Sequence, residues 1–79
     1  MTVIDEADKI VDCSGLNCPL PILKTRQAIM TMSAGQVVKV ISTDKTSVDD
    51  FPKFATATGN ELLSVEEKPN QWIFYIKVG

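Results

Sequence analysis

The chain has 79 residues, with 8 Lys+Arg against 10 Asp+Glu for a formal net charge of −2, and 44% of it is hydrophobic. That is enough for one modest core and a single domain, and the acidic balance lacks the basic face that nucleic acid demands. No histidine is present, which removes Ser-His-Asp and Cys-His catalysis and every His-ligated metal, and two cysteines are too few for a four-thiolate zinc site.

Residues 1–7 read as a short polar arm ahead of a single domain over 8–79. Asp5, Glu6 and Asp8 stand where a signal peptide would be basic and then apolar, and no apolar run approaches the roughly 20 residues of a membrane span. A cytoplasmic protein without membrane contact is therefore expected, in a compartment that keeps thiols reduced. Lys9-Ile10-Val11-Asp12-Cys13 is short and apolar at its centre, as a buried strand requires, and Ser14-Gly15-Leu16-Asn17 supplies turn residues. A helix should begin at Cys18-Pro19, because proline tolerates the first helical position, where its missing N–H is not needed. It should run to about Met32, with Gly35 as its stop.

Gln36 to Ser42 is a second, β-branched strand. Thr43 to Ser47 forms a loop, and Ser47 with Asp50 three residues on resembles a capping box. Phe51, Phe54, Ala55 and Thr58 recur at helical spacing until Gly59. Pro52 would break a bond in the second turn, so this helix should start late or on an irregular turn. Leu62–Glu67 and Trp72–Val78 read as the last two strands. Lys68-Pro69-Asn70-Gln71 joins them as a hairpin turn, proline setting one angle and asparagine tolerating the next. The order is βαβαββ. Right-handed crossovers then put both helices on one face of a mixed four-stranded sheet, a two-layer α/β sandwich (α+β) whose other face is uncovered.

Asn17-Cys18-Pro19-Leu20-Pro21 holds the chemistry. A thiol just before a helix feels the partial positive charge of the helix N-terminus, which favours the thiolate. Pro19 should pin the sulfur at the cap, and Pro21 removes one more amide from the first turn, leaving the Leu20 amide nearest the sulfur. On this reading the Cys18 pKa falls below that of free cysteine by less than about one unit. The site also lies beyond the carboxyl ends of strands one and two, where small α/β sheets place ligands and reactive groups. The plain alternative is a small cap residue, for which cysteine is a poor choice beside Ser or Asp.

Gly15-Leu16-Asn17-Cys18-Pro19-Leu20-Pro21 resembles the Cys-Pro-x-Pro signature of the TusA (SirA-like) family of small sulfur-carrier proteins. The likeness extends to Asp12, Leu23, Arg26, Asp44 and the Asp50-Phe51-Pro52 segment, and leaves out only the first seven residues. It implies a βαβαββ fold and a cysteine, here Cys18, that carries sulfane sulfur as a covalent persulfide with no separate cofactor or metal. It also implies protein partners: cysteine desulfurases, rhodaneses or DsrE-type sulfurtransferases as donors, and acceptors serving tRNA thiolation, cofactor synthesis or sulfur oxidation. Such a carrier is expected to be a monomer when free and a sulfurtransferase-type relay more than an independent multi-turnover enzyme.

Cys13 is either a resolving thiol or a buried strand-end cysteine acting as a small hydrophobe. On the first helix, Ile22, Thr25, Ile29 and Met32 share a core face flanked by Ala28, while Leu20, Leu23 and Met30 fall elsewhere. Those three are either a docking surface or scattered apolar residues that need no explanation. Lys24 and Arg26 either lend the sulfur positive potential or are simply solvated. Asp44 either tunes the thiol and engages a partner or caps nearby backbone. Two functions compete with the carrier: a dithiol–disulfide switch using Cys13 and Cys18, and an interaction domain using the open sheet face.

Overall fold

The structure, a computed structural model, describes residues 7–79. The arm expected over 1–7 lies outside the described residues except for Ala7. Six elements follow: β1 Lys9–Cys13, α1 Leu20–Ile29, β2 Val37–Ser42, α2 Ser47–Thr58, β3 Glu61–Lys68 and β4 Gln71–Lys77. They form one sheet in the order β1-β2-β4-β3. β1 and β2 run parallel, and β4 is antiparallel to both β2 and β3, so the expected mixed sheet and βαβαββ order are present.

The period-2 alternation of the strands decides the core. Val11 and Cys13 of β1, Val38 and Val40 of β2, and Phe74 and Ile76 of β4 turn to one face and are buried with Phe51 of α2. Phe51 stacks on Phe74 at 4.5 Å between centroids and meets Phe54 edge-on at 6.2 Å, which anchors α2 to the centre of the sheet. From α1, Thr25 and Pro21 are buried, and Ile22, Ala28, Ile29 and Met32 pack partly against the cluster. The expected helix face is therefore the observed one, with Pro21 added to it.

The opposite face is less open than expected. Ile73 and Tyr75 of β4 point to it yet are only 5% and 4% exposed, and the Lys39 ammonium lies 6.0 Å from the centre of the Tyr75 ring. A central strand can be covered by long side chains from its neighbours without a helix above it.

α1 departs from its expected boundaries, and α2 only from its expected cap. α1 starts at Leu20, with Pro19 as its cap, and stops at Ile29. Thr31 and Met32 then donate to Ala28 and Ile29 in i→i−3 bonds, so the stretch to Met32 is tightened turn. Gly35 is not the helix stop. Its φ of +92° and its bond to the Val78 carbonyl belong to the entry into β2. The Ser47–Asp50 capping box does not form, because the Ser47 hydroxyl is bonded to that of Ser42, at 2.7 Å. α2 begins instead with i→i−3 bonds from Ser47, Val48 and Asp49, the irregular turn expected of a helix that must pass Pro52. Gly59 closes it in the left-handed region at φ +76°, and Asn70 does the same for the β3–β4 turn at φ +71°.

Candidate functional site

β1 and β2 end side by side, Cys13 opposite Ser42, so the loops that leave them must share the same edge of the sheet. The first loop turns at once: Leu16 N–H donates to the Cys13 carbonyl, and Gly15 takes φ +80° in a turn where a side chain would be strained. The second loop holds the first in place. Thr43 Oγ1 accepts the Gly15 N–H at 2.9 Å, and Asp44 Oδ2 accepts the Cys18 N–H at 2.5 Å. The other Asp44 oxygen accepts both the backbone N–H and the hydroxyl of Thr46, at 3.0 and 2.9 Å. These bonds hold the Asp44 carboxyl below its ordinary pKa, the Thr46 and Cys18 amides foremost. Asp44 is thus a backbone cap, and what it caps is the cysteine.

Cys18 is an exposed free thiol one residue outside the cap of α1, joined to Pro19 by a cis peptide bond. The surroundings of the sulfur overturn the acidity expected for it. The Asp50 carboxylate accepts the S–H, and with desolvation and the negative charges of Asp50 and Asp44 it pushes the thiol above its ordinary pKa. Only the Thr46 hydroxyl acts the other way. A helix N-terminus is worth less than adjacent carboxylates, and here Pro19 rather than Cys18 holds the cap position. The Leu20 amide, expected to face the sulfur, is spent on the Asn17 carbonyl at 2.9 Å. Sequence reasoning passed over Thr46 and gave Asp50 a capping role instead of one at the sulfur. They stand four apart on the same side of a helix start, a spacing that could have marked them.

The basic residues do not serve the sulfur. Lys24 Nζ donates to the Asp12 carbonyl at 3.0 Å and ties α1 to the end of β1. Arg26 is in the last turn of α1, about 10 Å further along the axis than its cap. Leu20 and Leu23 are roughly half exposed one turn apart, next to Cys18, whereas Met30 is exposed at the far end of the helix. Cys13 is fully enclosed, its S–H near the Pro21 carbonyl at 3.9 Å, and burial pushes its pKa up. Of the sequence-derived candidates, the structure gathers Gly15, Cys18, Pro19, Leu20, Pro21 and Asp44 at one edge, and sets Arg26 and Cys13 apart. Among the described residues no group of three Cys, Asp or Glu side chains could hold a metal ion, and no helix is long and apolar enough to cross a membrane.

Known proteins resemble this chain over most of its length. The chain is 51% identical over 70 residues to a sulfur carrier protein TusA of Allochromatium vinosum, covering 89% of this chain and 92% of that one. A sulfur carrier protein TusA of Pseudomonas putida is 39% identical over the same share of this chain and 88% of its own. Among solved structures, a SirA-like protein of Desulfitobacterium hafniense superposes with a TM-score of 0.79 at 26% identity, covering 90% of this chain and 97% of that one. Residues 9–78 match the family described as Sulfurtransferase TusA, and with the fold and the curated likeness in agreement, the chain belongs to that family.

Proposed function

We propose that Cys18 accepts sulfane sulfur as a persulfide from a donor protein and passes it to an acceptor. Membership of the TusA family supports a sulfur-carrier role, and the observation that supports Cys18 as its site is the contrast in access: Cys18 is exposed, and Cys13 is sealed in the core. The chemistry is thiol exchange. The Cys18 sulfur attacks the terminal sulfur of the donor persulfide, the donor S–S bond breaks, and the departing donor thiolate takes up a proton. That proton starts on Cys18, and Asp50, which accepts the S–H bond, is placed to receive it. No redox partner is needed, because one persulfide is exchanged for another. For onward transfer a thiolate of the acceptor attacks the terminal sulfur of the Cys18 persulfide, the S–S bond breaks, and Cys18 leaves as a thiolate that takes back the proton.

In this reading sulfur travels covalently and no separate cofactor takes part. Its partners are donor proteins of the desulfurase, rhodanese or DsrE type and acceptors in a cytoplasmic sulfur relay. Leu20 and Leu23, exposed beside the sulfur, form the contact surface that docking a reactive group requires. Intact-mass measurement after incubation with inorganic polysulfide tests the assignment. The wild-type chain should gain one sulfur atom that a reducing agent removes, and Cys18→Ser should gain none. Loading of the Ser variant, or none of the wild type, would overturn it. A loss of two hydrogens instead would indicate the dithiol switch, which the enclosure of Cys13 disfavours.

A further inference from the structure

The first turn of α2 and the adjoining end of β3 and β4 enclose a cleft of about 410 Å³ lined by Lys45, Thr46, Val48, Asp49, Glu67 and Trp72. Sheet register places it beside the sulfur. Cys13 pairs with Ser42, Ser42 with Trp72 and Trp72 with Glu67, so a single row crosses the sheet at the edge where Cys18 sits. Thr46, whose hydroxyl acts on the Cys18 sulfur, is also a wall of the cleft.

The lining selects a chemistry. Val48 is 41% exposed and Trp72 only partly covered, which gives an apolar floor with an indole face. Asp49 and Glu67 set two carboxylates against the one ammonium of Lys45, and neither carboxylate has a partner among the described residues. A helix N-terminus would favour an anion, but Asp49 and Asp50 already supply negative charge to the first turn of α2. An indole flanked by unpaired carboxylates favours a guanidinium or ammonium group.

We propose that this cleft docks an extended segment of a partner protein. An arginine or lysine of that segment lies against Trp72 between Asp49 and Glu67, and a neighbouring apolar side chain covers Val48. The site goes beyond the carrier chemistry and does not depend on it, so the two can fail separately.

Trp72 is the one tryptophan of the chain and reports directly on the cleft. Titrating Cys18→Ser protein with acetyl-Leu-Arg-Leu-amide should give a saturable change in its emission, whereas acetyl-Leu-Glu-Leu-amide should bind far more weakly. Glu67→Gln or Asp49→Asn should each weaken the arginine peptide about two- to fivefold, the range of an exposed charge pair. An unchanged emission at millimolar peptide, an equal response to the glutamate peptide, or full binding by the double variant would overturn the proposal. Emission that changes with protein concentration alone would give the cleft to a second copy of the chain and would overturn it too. Sulfur loading of the wild-type chain is a separate measurement and is untouched by any of these results.

Discussion

Two cysteines five residues apart have opposite fates. Cys13 is the last residue of β1, where alternation turns its side chain into the core under the first turn of α1. Cys18 follows a tight turn that lifts the chain out of the sheet and ends on the rim, with two carboxylates around its sulfur. Both thiols are raised in pKa, and the causes differ: burial comes first for Cys13, a hydrogen bond to Asp50 for Cys18. Burial closes a thiol to reagents and partners, whereas a carboxylate on an exposed thiol only holds its proton. The lesson is that access, more than acidity, separates the two cysteines.

The largest test of that contrast is all-or-none. Cys18→Ser should lose sulfur loading completely, and Cys13→Ser should load as the wild type does, both read by intact mass with circular dichroism as the check on folding. A Cys13 variant that folds and fails to load would break the comparison. Next in size is reactivity toward a disulfide reagent in native protein. Cys18 should react promptly, and Cys13 at least on the order of a thousandfold more slowly, since reaching it requires opening a domain stable by about 5 kcal/mol. Two fast phases of equal size would mean that the core does not enclose Cys13. Smaller again is the packing role of the inner sulfur: Cys13→Ala should lower stability to urea by about 1–2 kcal/mol, as the loss of one or two buried methylene equivalents does.

Much of this was legible in the chain itself. Local pattern placed all six elements: strand alternation in Trp72–Val78 and helical spacing in Phe51–Thr58 are dictated by which side chains must be covered, while an apolar run, a proline and β-branched residues marked β1, α1 and β2. The Gly15–Pro21 run located the reactive loop, since a cysteine between a turn and a proline-marked helix start has few other uses. What local pattern does not record is which loop meets which. Asp50 read as part of a capping box, yet Ser47 is bonded to Ser42, and Asp50 is left facing a sulfur 32 positions away in the chain. The helix-terminus rule for thiols therefore gave the wrong direction at Cys18. It counts the amides of one helix, and the deciding charges come from another.

Asp44 offers a test of the loop clamp with a defined pH dependence. Its folded pKa is depressed, so its stabilising contribution is complete above the ordinary value of 3.8 and is lost as pH falls through the lower folded value. Asp44→Asn keeps one acceptor oxygen for a cap that uses two, and should cost about 1 kcal/mol at pH 7, solvent exposure reducing what charged hydrogen bonds otherwise give. The gap between variant and wild type in urea titrations should close as the pH drops below 3.8. A gap that is constant with pH would mean that shape rather than charge secures the Cys18 amide.

The smallest expected effect discriminates most finely. Asp50→Asn removes both the leading acceptor of the Cys18 S–H and a negative charge beside it, leaving the weaker influence of Asp44. The thiol should therefore become more acidic. In the wild type the thiolate appears only as pH rises through a value above that of an ordinary thiol, so the variant should alkylate faster with iodoacetamide at pH 7 and converge with the wild type at high pH. Unchanged alkylation would mean that Asp50 does not hold the proton. Sulfur acceptance from polysulfide, measured on the same variant, then separates two roles. If Asp50 only keeps the idle thiol neutral, acceptance should quicken in step with alkylation. If it also takes the proton during transfer, acceptance should slow while alkylation quickens, because a free thiolate is then gained at the loss of the group that relays its proton.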